Sequence, residues 1–99
     1  MMAMGMIDFQ KARELAEAYV AEFERECGIG LVIVDADTVE FEGGWIFYWD
    51  SKAYLQTQDF ADAIGGNAPI VVFKDGVIKQ APTAYAKPDE ILAWLRRNP

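Results

Sequence analysis

The fold is decided by residues 42–50, which read E-G-G-W-I-F-Y-W-D. Aromatic and β-branched side chains dominate this stretch, and such side chains pack well on the pleated surface of a β-sheet. Because side chains alternate between the two faces of a strand, Trp45, Phe47 and Trp49 would share one face and the residues between them the other. Both faces are largely apolar, so the stretch predicts a central strand that is covered on both sides.

The segments around this strand also have strand chemistry. Strands are predicted at 31–34, continuing after a bulge or turn at 35–37 into 38–42, then at 45–49, 70–74 and 77–81. The pair Gly43-Gly44 predicts a tight hairpin, because both glycines tolerate positive φ angles. Asp75-Gly76 between two apolar runs predicts a second hairpin.

The longest helical pattern covers residues 9–26, where apolar side chains recur at helical spacing. Asp8 is placed to cap its first turn, and Gly28 to end it in a left-handed conformation. Cys27, at the end of this helix, is expected to act as a small buried hydrophobic residue.

Shorter helices are predicted in the second half of the chain. Ser51 and Asp59 each can cap a short helix in the crossover that leads to the strand at 70–74. Residues 82–86 are predicted to be a linker, and Pro88 suits the first position of a C-terminal helix.

These elements predict an α+β domain. A four-stranded, mostly antiparallel sheet would carry the long N-terminal helix on one face, with short crossover helices and a C-terminal helix over the other face or an edge. The 99 residues are enough for one domain over residues 1–99, of which residues 1–7 are expected to fray.

The composition limits the function. The chain has 9 basic and 16 acidic residues and a formal net charge of −7, which disfavours nucleic acid and anionic membranes as partners but suits a basic protein. It contains one cysteine and no histidine, so no metal site or cofactor is expected. With no signal-peptide pattern and no apolar run approaching ~18–20 residues, a cytoplasmic location without a membrane partner is expected.

A set of short motifs resembles a known family. The motifs are G-W-I-F-Y-W-D-S at 44–51, Y-L at 54–55, D-F at 59–60, A-I-G-G-N-A-P-I-V-V at 63–72 and K-D-G at 74–76. A long helix precedes them, and a short helix beginning with P-x-E closes the chain. Their joint spacing resembles the immunity protein 35 family of small bacterial proteins encoded beside polymorphic toxins, over residues 8–97.

The resemblance implies a non-enzymatic immunity protein that binds a cognate bacterial toxin domain tightly and blocks its active site or its substrate. It carries over no shared contact residues. The alternative function is a chaperone-like or scaffolding homo-oligomer without a toxin partner. In that case a second copy, as in a homodimer, would cover part of the two-sided apolar strands at 45–49 and 70–73.

Two groups of residues are candidates for binding a partner. The acidic group could form a negative patch on the bulged strand and hairpin that steers a basic toxin; its members are Asp35, Asp37, Glu40 and Glu42. A solvated edge whose charges deter aggregation would explain the same pattern. The aromatic group comprises Trp49, Tyr54 and Tyr85, which could be interface anchors or could simply pack the crossover.

Nothing in the sequence indicates a reaction. Paired carboxylates such as Asp59 and Asp62 can perform acid–base chemistry, but no histidine, no nucleophile beside a base and no phosphate-binding loop accompanies them. Asp59 is better explained as a helix cap. The sequence therefore predicts a binding protein and not an enzyme.

Overall fold

The computed structural model describes residues 6–59, 68–82 and 87–98. Its helices are α1 (Phe9–Cys27), α2 (Lys52–Thr57) and α3 (Pro88–Arg97). Its strands are β1 (Leu31–Ile33), β2 (Val39–Phe41), β3 (Gly44–Phe47), β4 (Trp49–Ser51), β5 (Ile70–Phe73) and β6 (Ile78–Gln80), with a 3₁₀ turn at Asp35–Asp37. The predicted α+β class is confirmed.

Some predictions lie outside the described residues. They are the fraying of residues 1–5, the second crossover helix that would follow Asp59, most of the linker at 82–86, and the position of Tyr85. Among the described residues, no helix is long and apolar enough to cross a membrane.

Helix α1 begins and ends where the sequence predicts. The Asp8 carboxylate accepts a hydrogen bond from the Lys11 backbone N–H at 2.9 Å, and Gly28 closes the last turn with φ 75°. Just ahead of the helix, the Ile7 N–H donates to the Lys74 carbonyl at 2.8 Å. Ile7 also packs against the core, so it is held in place although it was expected to fray.

Strands β1 to β4 form one long hairpin that is interrupted by a bulge. At its base β1 pairs antiparallel with β4, and at its tip β2 pairs antiparallel with β3. The Val34 N–H donates to the Tyr48 carbonyl, and further toward the tip Val39 pairs with Ile46. Between these two links the first arm of the hairpin has four residues, whereas the second arm has one, Phe47. The three extra residues form the 3₁₀ turn at Asp35–Asp37, which we call the acidic turn.

The predicted four-stranded sheet is correct in number, but its membership differs. The sheet has the order β2-β3-β5-β6, all antiparallel, while β1 and β4 form a separate two-stranded ladder. The predicted central strand at 45–49 is therefore split at Tyr48. The acidic turn adds three residues to the first arm of the hairpin. The register of β2 with β3 is therefore shifted by three residues from that of β1 with β4, which is too large a shift for one continuous ladder.

The tip of the hairpin turns one residue earlier than predicted. Glu42 and Gly43 form the two-residue turn, and neither Gly43 nor Gly44 has a positive φ, so the predicted reason for these glycines is wrong. Gly44 is instead the first residue of β3, where a Cβ atom would overlap the backbone carbonyl oxygen of Val72 in β5. The second hairpin is confirmed, with Gly76 at φ 90°.

The four-stranded sheet separates two apolar cores, as the two-sided strand predicted. Helix α1 covers one core, whose buried residues are Ala12, Ala16, Val20, Leu31, Ile33, Trp45, Phe47, Trp49, Ile70 and Val72. Helix α3 covers the other, with Ile46, Val71, Ala81 and Ile91 buried and Phe41, Tyr48, Phe73, Leu92, Trp94 and Leu95 packed around them. The chain itself thus covers both faces of the sheet.

Cys27 does not have the environment that was expected. Its side chain is exposed, because the buried face of α1 ends at Val20 and only Phe23 beyond it packs on the core. The prediction of a buried cysteine is wrong. The first crossover helix, α2, is confirmed: the Ser51 hydroxyl caps it by accepting from the Tyr54 N–H at 3.0 Å.

Candidate functional site

The acidic turn places its two aspartates in different settings. Asp35 faces α1, where it forms a two-pronged ion pair with Arg13: Nε–Oδ1 is 2.7 Å and Nη2–Oδ2 is 2.9 Å. The guanidinium lowers the pKa of Asp35, and the hydrogen bonds to Asp35 and Glu17 raise the pKa of Arg13. The charge of Asp35 is therefore compensated within the protein.

Asp37 lies on the other side of the turn, at a groove of about 410 Å³. We call it the aromatic groove; its lining residues are Val34, Asp37, Tyr48, Trp49, Asp50, Tyr54, Leu55 and Gln58. Three of the seven predicted partner-binding residues, Asp37, Trp49 and Tyr54, meet here although they come from the acidic turn, β4 and α2. A groove with aromatic walls and carboxylate groups can bind an apolar side chain beside a cationic one.

Trp49 forms the rigid wall of the aromatic groove. Its side chain is buried, its indole N–H donates to the Ala68 carbonyl at 2.8 Å, and its ring stacks on Phe23 with 5.2 Å between centroids. Tyr54, by contrast, is only partly buried on α2. Trp49 therefore supports the groove from the core, and Tyr54 is the aromatic residue that a partner could contact over a larger surface.

Tyr48 was not among the predicted site residues, yet it lines both the aromatic groove and a neighbouring cavity of about 340 Å³ with Asp37, Lys87 and Pro88. Its hydroxyl is buried and has no hydrogen-bond partner among the described residues. Burial, and secondarily the charge of Asp37, raises the pKa of Tyr48. The sequence alternation placed Tyr48 opposite Trp49, but it carries no sign that the hydroxyl would lack a partner.

Replacing Tyr48 by phenylalanine is expected to stabilise the protein. Leaving a buried polar group unpaired costs about 1–3 kcal/mol, and the variant avoids this cost. Since the raised pKa makes the tyrosinate form more readily in the unfolded chain, stability should fall as the pH rises above about 10, and Tyr48→Phe should flatten that fall. Urea unfolding at pH 7 and pH 10.5 measures both effects.

The matched control for this prediction is Tyr19→Phe, another partly buried tyrosine whose ring packs edge-on against Phe23. Its hydroxyl is not among the buried unpaired groups, so no gain is expected. A loss of stability in Tyr48→Phe at pH 7 would contradict the prediction and show that the hydroxyl forms a favourable hydrogen bond.

The remaining predicted residues lie apart from the aromatic groove. Glu40 is exposed on β2, an edge strand of the four-stranded sheet, opposite Trp45. Glu42 is exposed in the hairpin turn and borders a third groove formed with Phe41, Phe73, Leu92, Leu95 and Arg96. The four acidic residues thus have separate surroundings, and Asp37 is the one that lines the aromatic groove.

The described residues hold no group of three or more metal-ligating side chains. The pKa values of Arg13 and Asp35 are shifted by their exposed ion pair, and the pKa of Tyr48 by burial of its hydroxyl. Neither arrangement pairs a nucleophile with a base. Fold and surface together define a small α+β protein with several surface grooves.

The chain belongs to the immunity protein 35 family, whose sequence model matches residues 9–96. The match covers nearly the whole chain and confirms the resemblance drawn from the motifs. Membership suggests a toxin-neutralising role, and immunity families of this kind are generally non-enzymatic. Comparisons with curated proteins and with solved structures returned no significant match.

Proposed function

We propose that this protein neutralises a cognate bacterial toxin domain by binding it in the cytoplasm, without catalysis. The observation that carries the proposal is membership of the immunity protein 35 family over residues 9–96. The net charge of −7 supports a basic partner, since opposite charges speed the encounter of two proteins and discourage wrong partners.

The aromatic groove is the proposed contact surface. It combines the partly buried ring of Tyr54 with the carboxylate of Asp37 and the indole of Trp49, which is held by its hydrogen bond to Ala68. Aromatic anchors in pockets provide much of the energy of protein interfaces, and a nearby carboxylate would orient a lysine or arginine of the toxin. Glu40 and Glu42, which are exposed and lie apart from the aromatic groove, suit a role in long-range steering of the basic partner.

The structure gives no specific support to the alternative of a scaffolding homo-oligomer. In that alternative, a second copy would cover one of the two apolar faces of the central strands. Helices α1 and α3 supply these covers within one chain. A homodimer is therefore not required to bury the sheet.

Co-expression with the C-terminal domain of whichever large protein is encoded next to this one tests the proposal. We expect a one-to-one complex that co-purifies and restores growth of cells that express the toxin. Asp37→Lys and Tyr54→Ala should each weaken binding about tenfold or more, the range expected for interface anchors. The control Glu26→Lys makes the same change in charge at an exposed position at the end of α1 and should leave affinity unchanged.

Absence of both binding and rescue would overturn the proposed function. Equal weakening by Asp37→Lys and Glu26→Lys would show that net charge, and not the aromatic groove, determines affinity. In that outcome the toxin would still be bound, and its contact surface would have to be sought elsewhere on the protein.

A further inference from the structure

The outer edge of β1 is a second candidate binding surface, because some of its backbone groups do not bond to β4. In an antiparallel ladder, backbone groups point alternately toward the partner strand and away from it. The Lys52 N–H donates to the Gly30 carbonyl and the Val34 N–H to the Tyr48 carbonyl, so residues 30, 32 and 34 face β4. The backbone groups of Leu31 and Ile33 therefore point away from β4.

A groove of about 560 Å³ runs along this outer edge between β1 and α1, and we call it the edge groove. Its lining residues are Arg13, Glu17, Ala18, Val20, Ala21, Glu24, Leu31, Val32, Ile33 and Lys52. On the helix side, Ala18 is exposed and Ala21 is partly exposed. Such small side chains leave room for a polypeptide backbone to approach β1.

One of the outward backbone groups already has a partner, which confirms the direction in which they point. The Leu31 N–H donates to the Glu24 carboxylate at 2.9 Å. Among the described residues, the N–H and carbonyl of Ile33 and the carbonyl of Leu31 have no hydrogen-bond partner. Both residues are buried in the core, but they line the edge groove.

We propose that the edge groove binds an extended segment of the toxin domain, which pairs with β1 as an added strand. This inference rests on the proposed function and names the surface and the backbone groups through which part of the toxin would bind. Addition of a strand satisfies the Ile33 groups directly, and main-chain hydrogen bonds give such complexes their affinity. It also extends the two-stranded ladder of β1 and β4 to three strands, the size at which sheets become stable.

Charge favours a foreign segment over a second copy of this chain. Each copy carries a net charge of −7, so two copies repel each other as they approach, whereas a basic toxin domain is attracted. The occupant expected from the lining has small or apolar side chains toward Ala18 and Ala21. Polar ends would meet the Arg13–Glu17 pair on one side and Lys52 on the other.

Hydrogen exchange of backbone amides, followed by NMR with and without the neighbouring toxin domain, tests the inference. We expect the Ile33 amide to exchange readily in the free protein and at least about tenfold more slowly in the complex. The Val34 amide, which is already bonded to Tyr48, is the internal reference and should be protected in both states.

A matched pair of variants tests the same surface by affinity. Ala18→Trp fills the edge groove from an exposed helical position and should weaken toxin binding about tenfold or more. Gln10→Trp places the same side chain at an exposed position of α1 outside the groove and should leave affinity within about twofold. Circular dichroism confirms that both variants are folded.

The outcomes separate this inference from the proposed function. A toxin domain that binds normally while Ile33 stays unprotected and Ala18→Trp binds at full affinity overturns the edge inference alone. Protection of Ile33 in concentrated protein without toxin, with a doubled mass, assigns the edge to a second copy and also overturns it. A toxin domain that neither binds nor is neutralised overturns both proposals.

Discussion

Gly44→Ala is expected to prevent stable folding. A Cβ atom at this position would overlap the Val72 carbonyl oxygen and lie 2.8 Å from the Phe73 Cα, and both are backbone atoms of the neighbouring strand. Strands β3 and β5 would have to separate, although their pairing holds the centre of the four-stranded sheet. We expect a loss of about 4 kcal/mol or more, measured by urea unfolding or seen as insoluble expression.

Gly30→Ala is the matched control for this prediction. A Cβ at Gly30 would meet only the side chain of Lys52, with the nearest atom at 3.1 Å, and that flexible side chain can move aside. The change in stability should stay within about 0.5 kcal/mol. Similar stabilities of Gly44→Ala and Gly30→Ala would show that β3 and β5 can separate locally at low cost.

Phe47→Ala is expected to have the next largest effect. Among the described residues, Phe47 is the largest fully buried side chain, and it lies in β3 in the core beneath α1. Truncation of a buried phenylalanine typically costs about 3–5 kcal/mol, through lost burial and the cavity left behind. Domains are stabilised by only about 5–15 kcal/mol in total, so the urea midpoint should fall sharply.

Phe9→Ala provides the comparison for Phe47, because the two rings stack with 6.0 Å between their centroids. Phe9 is 45% exposed, so its truncation removes less buried area and creates no closed cavity. We expect about 1 kcal/mol, the common size of a point-mutation effect. A loss for Phe9→Ala as large as that for Phe47→Ala would mean that the stacked pair acts as one unit.

Local signals made most of the elements predictable. Asp8, Gly28 and Ser51 act as caps through their own side chains or backbone angles, and these properties depend on a few neighbouring residues. The alternation around Phe47 predicted two apolar faces, and the two cores covered by α1 and α3 confirm it. These features need no knowledge of distant contacts.

The errors in the sheet came from features that depend on strand register. A bulge at 35–37 was predicted, but its size decides whether the ladder continues or breaks, and that size is set by how β1 and β2 pair with β4 and β3. The role of Gly44 likewise depends on the approach of Val72 from a strand far along the chain. A glycine pair alone does not distinguish a turn from a close backbone contact.

The grouping of the candidate site residues could not be predicted from the sequence. Asp37, Trp49 and Tyr54 were selected for their chemistry, and the fold brings them to one groove. The ion pair of Asp35 with Arg13 joins residues 22 positions apart, so its neutralising effect was not visible in the sequence. Tyr85 lies outside the described residues.

The nesting of one hairpin inside another has a consequence for the order of folding. Among the described strand pairs, β2 and β3 are joined by the shortest loop, Glu42–Gly43, and a short loop costs the least entropy to close. The β2–β3 tip should therefore form earliest. Once formed, it brings Val34 near Tyr48, and the base can close around the acidic turn. Because β3 and β5 are joined by a long crossover, their pairing closes a much larger loop. We therefore expect the transition state of folding to depend on the tip and not on the acidic turn.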